Sequence, residues 1–255
     1  DSLRKSKTGQ WWIENGQRAL ANNSAVYTRT PDMSLFMTEW KALYESKSGE
    51  RGIFNRQAAK NKVAENGRRD VEHDFGTNPC SEIILRPYQF CNLTEVVVRA
   101  TDTQASLQNK IELATILGTF QSTLTDFKYI RKLWRTNTEE ERLLGVSLTG
   151  IMDNKLTIAP SPSFLNRLRN TAVECNKLLS SKLGINQSTA ITCVKPSGTV
   201  SQLVDSASGI HTRYSAYYIR TVRMDMKDPL TRMLVDKGVP HEPDVMRPDD
   251  VMVFS

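Results

Sequence analysis

The chain has 255 residues, 39% of them hydrophobic and 24% charged, which is the make-up of a soluble globular protein with room for a sizeable core in one large domain or two small ones. Its 34 Lys and Arg against 28 Asp and Glu leave a net charge of +6, an excess that suits either a polyanionic partner or a plain solvated surface. Four cysteines are too few for a disulfide scaffold, and no apolar run approaches the ~20 residues of a membrane helix, so a reducing, cytoplasmic setting is expected.

In chain order, DSLRKSKTGQWW carries basic residues but no apolar h-region, so it does not read as a secretory signal. TPDMSLFMTEWKALYESKSG predicts a helix with Thr30 as cap and Pro31 at the first helical position. Met33, Phe36, Met37, Trp40, Leu43 and Tyr44 recur on it at helical spacing as a core stripe, and Gly49 stops the run. Short β-rich runs follow at EIIL (82–85) and TEVVV (94–98). A second helix is expected after Thr101 and Asp102, with Leu113, Ile116, Leu117, Phe120 and Leu124 on one face. TEEE at 138–141 has the form of a capping box, Thr138 with Glu141, opening a third helix. A fourth runs from a Ser161 cap to Gly184, a strand covers TAITCV (189–194), and another covers YYIRTVRM (217–224). A fifth helix is capped by Asp228 with Gly238 beyond its end. Alternating strands and helices predict an α/β architecture with a largely parallel sheet or barrel. With no repeat or linker, residues 1–255 read as one domain. It is expected to be incomplete at both ends, because the chain begins without Met and DDVMVFS stops inside what reads as a strand.

The basic clusters RKSK and NGRRD are not interleaved with aromatics, so no direct nucleic-acid binding is expected. No closely spaced cysteine pair of the C-x₂-C kind exists, so no metal site is expected. Cys175 falls in register with Leu165, Leu168, Ala172 and Leu179 and reads as a core thiol; Cys193, inside an apolar strand, reads as core too. Cys80 differs. In NPCSEI it lies between Asn78 and Glu82, and alternation along an extended segment would put amide, thiol and carboxylate on one side. A buried thiol beside a helix cap fits the same residues. In TCVKPSGTVSQL a strand ends at Lys195, and Pro196, Ser197, Gly198, Thr199 and Ser201 make a small-residue turn. Such a turn can present amides and hydroxyls to an anion, with glycine at 198 allowing close approach and positive φ; an ordinary strand-to-helix turn would look alike.

NPCSEI, FCNLTEV, KPSGTVSQL and GIHTRYSAYYIRTVR, in that order, resemble the catalytic core of ribonucleotide reductases, and NNSAVY and GERGIFNR resemble the adenosylcobalamin-dependent branch. The resemblance runs from Asn22 to Arg223. It implies a ten-stranded α/β barrel with a central finger loop, ribonucleotide substrates and adenosylcobalamin as cofactor. It also implies Cys80 as the thiyl radical, Glu82 as general base toward the 3′-hydroxyl and Asn78 as a sugar-hydroxyl partner. Cys91 becomes one of two reducing thiols, and Pro196, Ser197, Gly198, Thr199 and Ser201 become the substrate-phosphate loop. His211 reads as a hydrogen-bonded structural histidine. Neither Cys175 nor Cys193 matches the partner of Cys91, which the family takes from an upstream strand. A thioredoxin-like reductant and further N- and C-terminal parts of the same enzyme are therefore implied partners. Two other readings fit the same residues: a segment of the diphosphate-reducing branch that works with a second subunit, and a non-catalytic nucleotide-binding fragment.

Overall fold

The structure, a computed structural model, describes residues 3–20, 22–47, 49 and 51–255, so Glu50 of GERGIFNR lies outside the described residues. Two units divide the chain, Asp1–Thr212 and Arg213–Ser255. In the first, α1 (Trp11–Glu14) is a single turn. β1 (Asn23–Tyr27) pairs in parallel with β2 (Arg51–Asn55), and α2 (Met33–Ser46) supplies the crossover that parallel neighbours require. α2 starts later than expected because the Asp32 carboxylate, not Thr30, accepts from the Ser34 and Leu35 amides. It stops at Lys47, in the left-handed region at φ 47°, before reaching Gly49. Its Met and aromatic stripe is not core. Met33, Met37, Trp40 and Tyr44 are exposed, whereas Glu39, paired with Arg4, is the buried residue of the helix. Helical spacing selects a face but does not supply the element that covers it.

α3 (Arg56–Ala64), capped by Asn55, buries Ala59 and Val63 against Phe75. The expected strand at 82–85 shortens to β4 (Ile84–Leu85), the return arm of a hairpin with β3 (Gly76–Thr77). Next comes β5 (Asn92–Val97), joined through α4 (Gln104–Gln121) and α5 (Lys132–Glu141) to β6 (Leu144–Thr149). β5 and β6 pair in parallel from Asn92↔Leu144 to Val97↔Thr149. One expectation fails here: TEEE closes α5 rather than opening a helix, and β6 is a strand that the sequence reading did not single out. The reason is tertiary: Glu141 is held by a fork of Arg69 Nε and Nη2 at 2.9 and 2.8 Å, and this buried pair ends the helix where the sheet begins.

On one side of β5 and β6 lies the main core. It joins Val96, Val98, Leu144, Val146 and Ile191 with Leu107, Ile111 and Ala114 of α4 and with Phe164, Leu168 and Ala172 of α7 (Pro162–Leu183). α7 has the expected Ser161 cap and Gly184 stop, and the one-turn α6 (Lys155–Ile158) precedes it. The face of α4 that meets the sheet is not the leucine face. Leu113, Leu117, Phe120 and Leu124 are exposed, while Ala114, Thr115, Gly118 and Thr119 face inward. Small residues let the helix sit close: a Cβ at Gly118 would lie 3.5 Å from Leu144 Cδ2. The buried hydroxyls of Thr115 and Thr119 donate to carbonyls one turn back, so they carry no desolvation penalty. Cys175 is a second correction. It is half-buried on the α4 side of α7 with its thiol 3.7 Å from Glu112 O, outside the core.

The expected strand at 189–194 runs along the free edge of β6. Leu144 and Val146 donate to Ala190 O and Ile191 O, and a single parallel bridge joins Val146 to Thr192. α8 (Thr199–Leu203) follows its loop. The second unit holds β7 (Val222–Asp225), α9 (Pro229–Asp236), β8 (His241–Pro243) and β9 (Val251–Phe254), in the antiparallel order β7-β9-β8. The strand expected from 217 begins only at Val222; the Asp228 cap and the closing strand are as read. The architecture is α/β. Among the described residues, no helix is long and apolar enough to cross a membrane.

Candidate active site

The β3–β4 hairpin carries Cys80 at its tip. Asn78 closes the loop: its amide N–H donates to Ile83 O at 3.3 Å, and its Oδ1 accepts from Ile83 N at 3.0 Å. Ser81, whose amide donates to Asn78 O, sits at φ 64°. The segment is thus a tight turn and not the extended run that alternation assumed, and it leaves Cys80 exposed while the Glu82 side chain is 2% exposed. Asn22 donates to Pro79 O at 2.5 Å, linking the NNSAVY stretch to the same loop.

The side of β5 and β6 opposite the core is polar. By alternation Cys91, Leu93 and Glu95 share it with Gly145, Ser147 and Thr149 of β6, and with Cys193 and Lys195 beyond. Gly145 is needed there, since a Cβ would lie 2.4 Å from Leu93 Cδ2, 3.0 Å from Ile83 Cδ1 and 3.1 Å from Cys193 Sγ. Lys195 Nζ reaches the hairpin and stands 2.8 Å from Glu82 Oε1. The contact is an ion pair, and Glu82 Oε2 is buried with no hydrogen-bond partner of its own. Glu95 Oε1 and Ser147 Oγ are likewise buried without a partner. Orphaned buried acceptors are costly, and those of Glu82, Glu95 and Ser147 on this face could receive hydroxyl or N–H groups.

The small-residue loop packs on this face. Ser197 Oγ donates to Glu95 Oε2 at 3.3 Å, and Ser208 Oγ donates to Ser197 O. Gly209, at φ 53°, fits against Lys195 O and Ser197 N, and Thr149 Oγ1 accepts its amide at 2.9 Å. Gly198 has φ −107° with open space around it, so positive φ is not why glycine stands there. Pro196 and Thr199 are exposed, but Ser201 is fully buried with its hydroxyl given to Gly198 O at 2.7 Å. His211 is exposed, and its backbone amide donates to Ser208 O.

Charge is balanced unevenly. Burial pushes the Glu82 carboxyl up, but the Lys195 ammonium, its own backbone amide and the Asn78 side chain outweigh this and hold it below the usual range. Glu82 in turn holds the Lys195 ammonium above its ordinary value, with the Cys80 thiol a smaller contributor. Burial first, then the Glu82 carboxylate, pushes the Cys91 thiol up. The same causes, with Cys91 added, push Cys193 up to about 12. At neutral pH both are thiols, not thiolates. Cys193 therefore lies on the site face beside Cys91, where sequence reading had it as core. Sequence reading also passed over Glu95 and Ser147 and gave Lys195 only a share in anion binding. The signal was present in TEVVV, where a carboxylate interrupts an apolar strand four residues after Cys91.

The comparisons with known proteins agree with one another. An adenosylcobalamin-dependent ribonucleoside-triphosphate reductase of Lactobacillus helveticus is 30% identical over 237 residues, 81% of this chain and 32% of that protein. The protein of the same name from Lacticaseibacillus paracasei is 32% identical over 235 residues, 80% of this chain and 31% of its own. A crystal structure of a B12-dependent (class II) ribonucleotide reductase matches with a TM-score of 0.65 at 26% identity, over 96% of this chain and 38% of that one. Over most of its length the chain is similar to ribonucleotide reductases in sequence and in fold. The alpha subunit of a class Id ribonucleotide reductase from Actinobacillus ureae shares the fold at a TM-score of 0.50 and 17% identity, over 89% of this chain and 45% of that one. No protein-family model matches. The chain spans about a third of the length of the curated relatives it matches.

Proposed function

We propose that this segment is part of the catalytic core of an adenosylcobalamin-dependent ribonucleoside-triphosphate reductase, which makes 2′-deoxyribonucleotides through a cysteine thiyl radical. In this reading its paired strands are portions of a ten-stranded barrel, the hairpin 76–85 is the central finger loop, and residues 1–255 are one incomplete catalytic segment. The carrying observation is the buried Glu82 carboxylate two residues from exposed Cys80, tied by Lys195 to the small-residue loop. Cys80 Sγ, having lost its hydrogen atom, takes one from C3′ of the ribose. A Glu82 oxygen accepts the 3′-hydroxyl proton, a role its unpartnered Oε2 leaves open. Asn78, busy closing the loop, holds Glu82 and Cys80 in relation and offers its amide to the sugar. The 2′-hydroxyl leaves as water with a proton from the thiol pair. Cys91 closes a disulfide with a thiol from elsewhere in the enzyme, giving two electrons and the second hydrogen to C2′. Cys80 and Glu82 return their hydrogen atom and proton to C3′ and the 3′-oxygen. A thioredoxin-like reductant then reopens that disulfide. Ser197, Gly198 and Thr199 receive the substrate phosphates, while Pro196 and buried Ser201 shape the loop.

The residues beside Cys80 fit the nucleoside end of the cofactor. Asn22, Ser24, Gly52, Thr77, Pro79 and Ser81 line a polar pocket of about 250 Å³ that includes both neighbours of Cys80. When bound, adenosylcobalamin supplies a carbon-centred radical; this segment's part is to keep Cys80 exposed to it on a rigid turn. Among the described residues no cluster of His, Cys, Asp or Glu suits a metal ion.

The test uses the full-length reductase that carries this segment, with paramagnetic resonance of cob(II)alamin coupled to a thiyl read alongside deoxynucleotide formation. Cys80→Ser should abolish both, because an alcohol O–H bond is too strong to replace the thiol. Cys91→Ser should keep the coupled signal and lose the product. A coupled signal in Cys80→Ser, or none in folded Cys91→Ser, overturns the assignment.

A further inference from the structure

Lys195 belongs by its backbone to the small-residue loop and by its ammonium to the hairpin. It is the single charged residue in TCVKPSGTVSQL, so a phosphate arriving at the loop finds one local cation, already engaged with Glu82. The other side chain at the loop's start is committed as well, since Ser197 donates to Glu95. The Lys195 side chain is 27% exposed and open to an incoming anion, whereas the Glu82 side chain is only 2% exposed. We infer that Lys195 is a positioning residue that passes its charge from Glu82 to the phosphates of an incoming ribonucleotide, so that Glu82 becomes a free base only when substrate is bound. This rests on the ribonucleotide reading above and deepens it.

The electrostatics run in that direction. A triphosphate carries several negative charges and accepts strong charge-assisted hydrogen bonds, so it outcompetes one carboxylate for the ammonium. The groups facing Glu82 are Asn78 and Cys80 on its own hairpin, Cys91 at the start of β5, and Cys193 and Lys195 from the edge segment, with Glu95 behind Cys193. Among these Lys195 is the one cation. Once it leaves, only the backbone amide and the Asn78 side chain oppose burial, and the proton affinity of Glu82 rises, which suits a base that must take a hydroxyl proton. That proton moves to Glu82; Lys195 stays an ammonium throughout. An unfilled site keeps its carboxylate neutralised and unreactive next to the radical thiol.

The experiment titrates the Glu82 carboxylate band in the full-length reductase by isotope-edited infrared spectroscopy, the band being assigned by its loss in Glu82→Gln. A ribonucleoside triphosphate should raise the midpoint by about 1–3 pH units, the usual effect of removing an adjacent opposite charge, and the unphosphorylated nucleoside should not. In Lys195→Met the midpoint should start high and ignore nucleotide, and Lys195→Arg should restore the response. In steady-state profiles Lys195→Met should move the acid limb of kcat/KM, which reports free enzyme, to higher pH and leave that of kcat in place. A wild-type midpoint unmoved by triphosphate overturns the handover without relying on any variant, as does a Lys195→Met midpoint equal to wild type. Neither readout needs turnover, so this failure stays distinct from failure of the wider reading, which Cys80→Ser decides.

Discussion

On the core side of β5 and β6, Val96, Leu144 and Val146 are between 0% and 4% exposed and pack with Ile111 and Leu168. On the opposite side of the same strands, Glu95 and Ser147 bury polar atoms that have no partner, and Gly145 clears space for Cys193 and Ile83. One face holds the fold together; the other accepts a loss of stability to present acceptors to something not made of this chain. Two-fold alternation makes the division possible, because each strand serves both purposes with adjacent residues.

The comparison can be broken most sharply at Glu82. Glu82→Gln in the full-length reductase should lower deoxynucleotide formation by about 10²–10⁴-fold, the usual worth of a general base. The melting temperature should fall only slightly, since loss of the ion pair with Lys195 is partly offset by no longer burying a charge. A large fall in melting temperature would mean that Glu82 is structural. Leu144→Ala is the mirror experiment. It should cost about 2–5 kcal/mol in denaturant unfolding with activity per folded molecule kept, as its side chain is wholly in the core. Gly145→Ala lies between the two, because its new methyl would press on Leu93, Ile83 and Cys193. About 1–3 kcal/mol of stability should go, with activity falling too because Ile83 anchors the hairpin. A neutral Gly145→Ala would show that the site face is looser than its packing indicates.

The smallest effect is expected at the rim, just past β5. Burial pushes the Asp102 carboxyl up, but Lys110 at 2.6 Å, the Arg99 amide and the Ser106 hydroxyl outweigh it, and its pKa is lowered. A lowered folded pKa contributes stability that is full above the unfolded value of about 3.9 and is lost as pH falls through the folded value. Asp102→Asn should therefore unfold at lower urea than wild type at pH 6, by about 1 kcal/mol. The gap should close as pH drops below about 3.9. A gap that persists in acid would assign the effect to packing instead of charge.

How much of this could be read beforehand differs by element. α7 was legible from Ser161 to Gly184 because cap, apolar period and glycine stop all lie in contiguous sequence. β5 was legible from its β-branched run. The TEEE motif misled because a capping box and a helix end share composition, and what decided between them was Arg69, far away in the chain. The leucine face of α4 misled because hydrophobicity ranks faces by residue, whereas close packing on a sheet selects small ones.

By itself the sequence singled out the candidate residues: the cysteine between an amide and a carboxylate, the second cysteine at the head of a strand, and the Lys-Pro-Ser-Gly loop in their fixed order. Those are properties of residue type and local spacing. Only the tertiary structure decided that Asn78 would be spent closing a turn, that Cys193 would leave the core for the site, and that Lys195 would stand on Glu82. The register of the 190–193 edge on β6 sets which side each residue faces, and a hairpin folded back from elsewhere brings the carboxylate to it. Periodicity is written by neighbours along the chain; an ion pair at 2.8 Å between two distant loops is not.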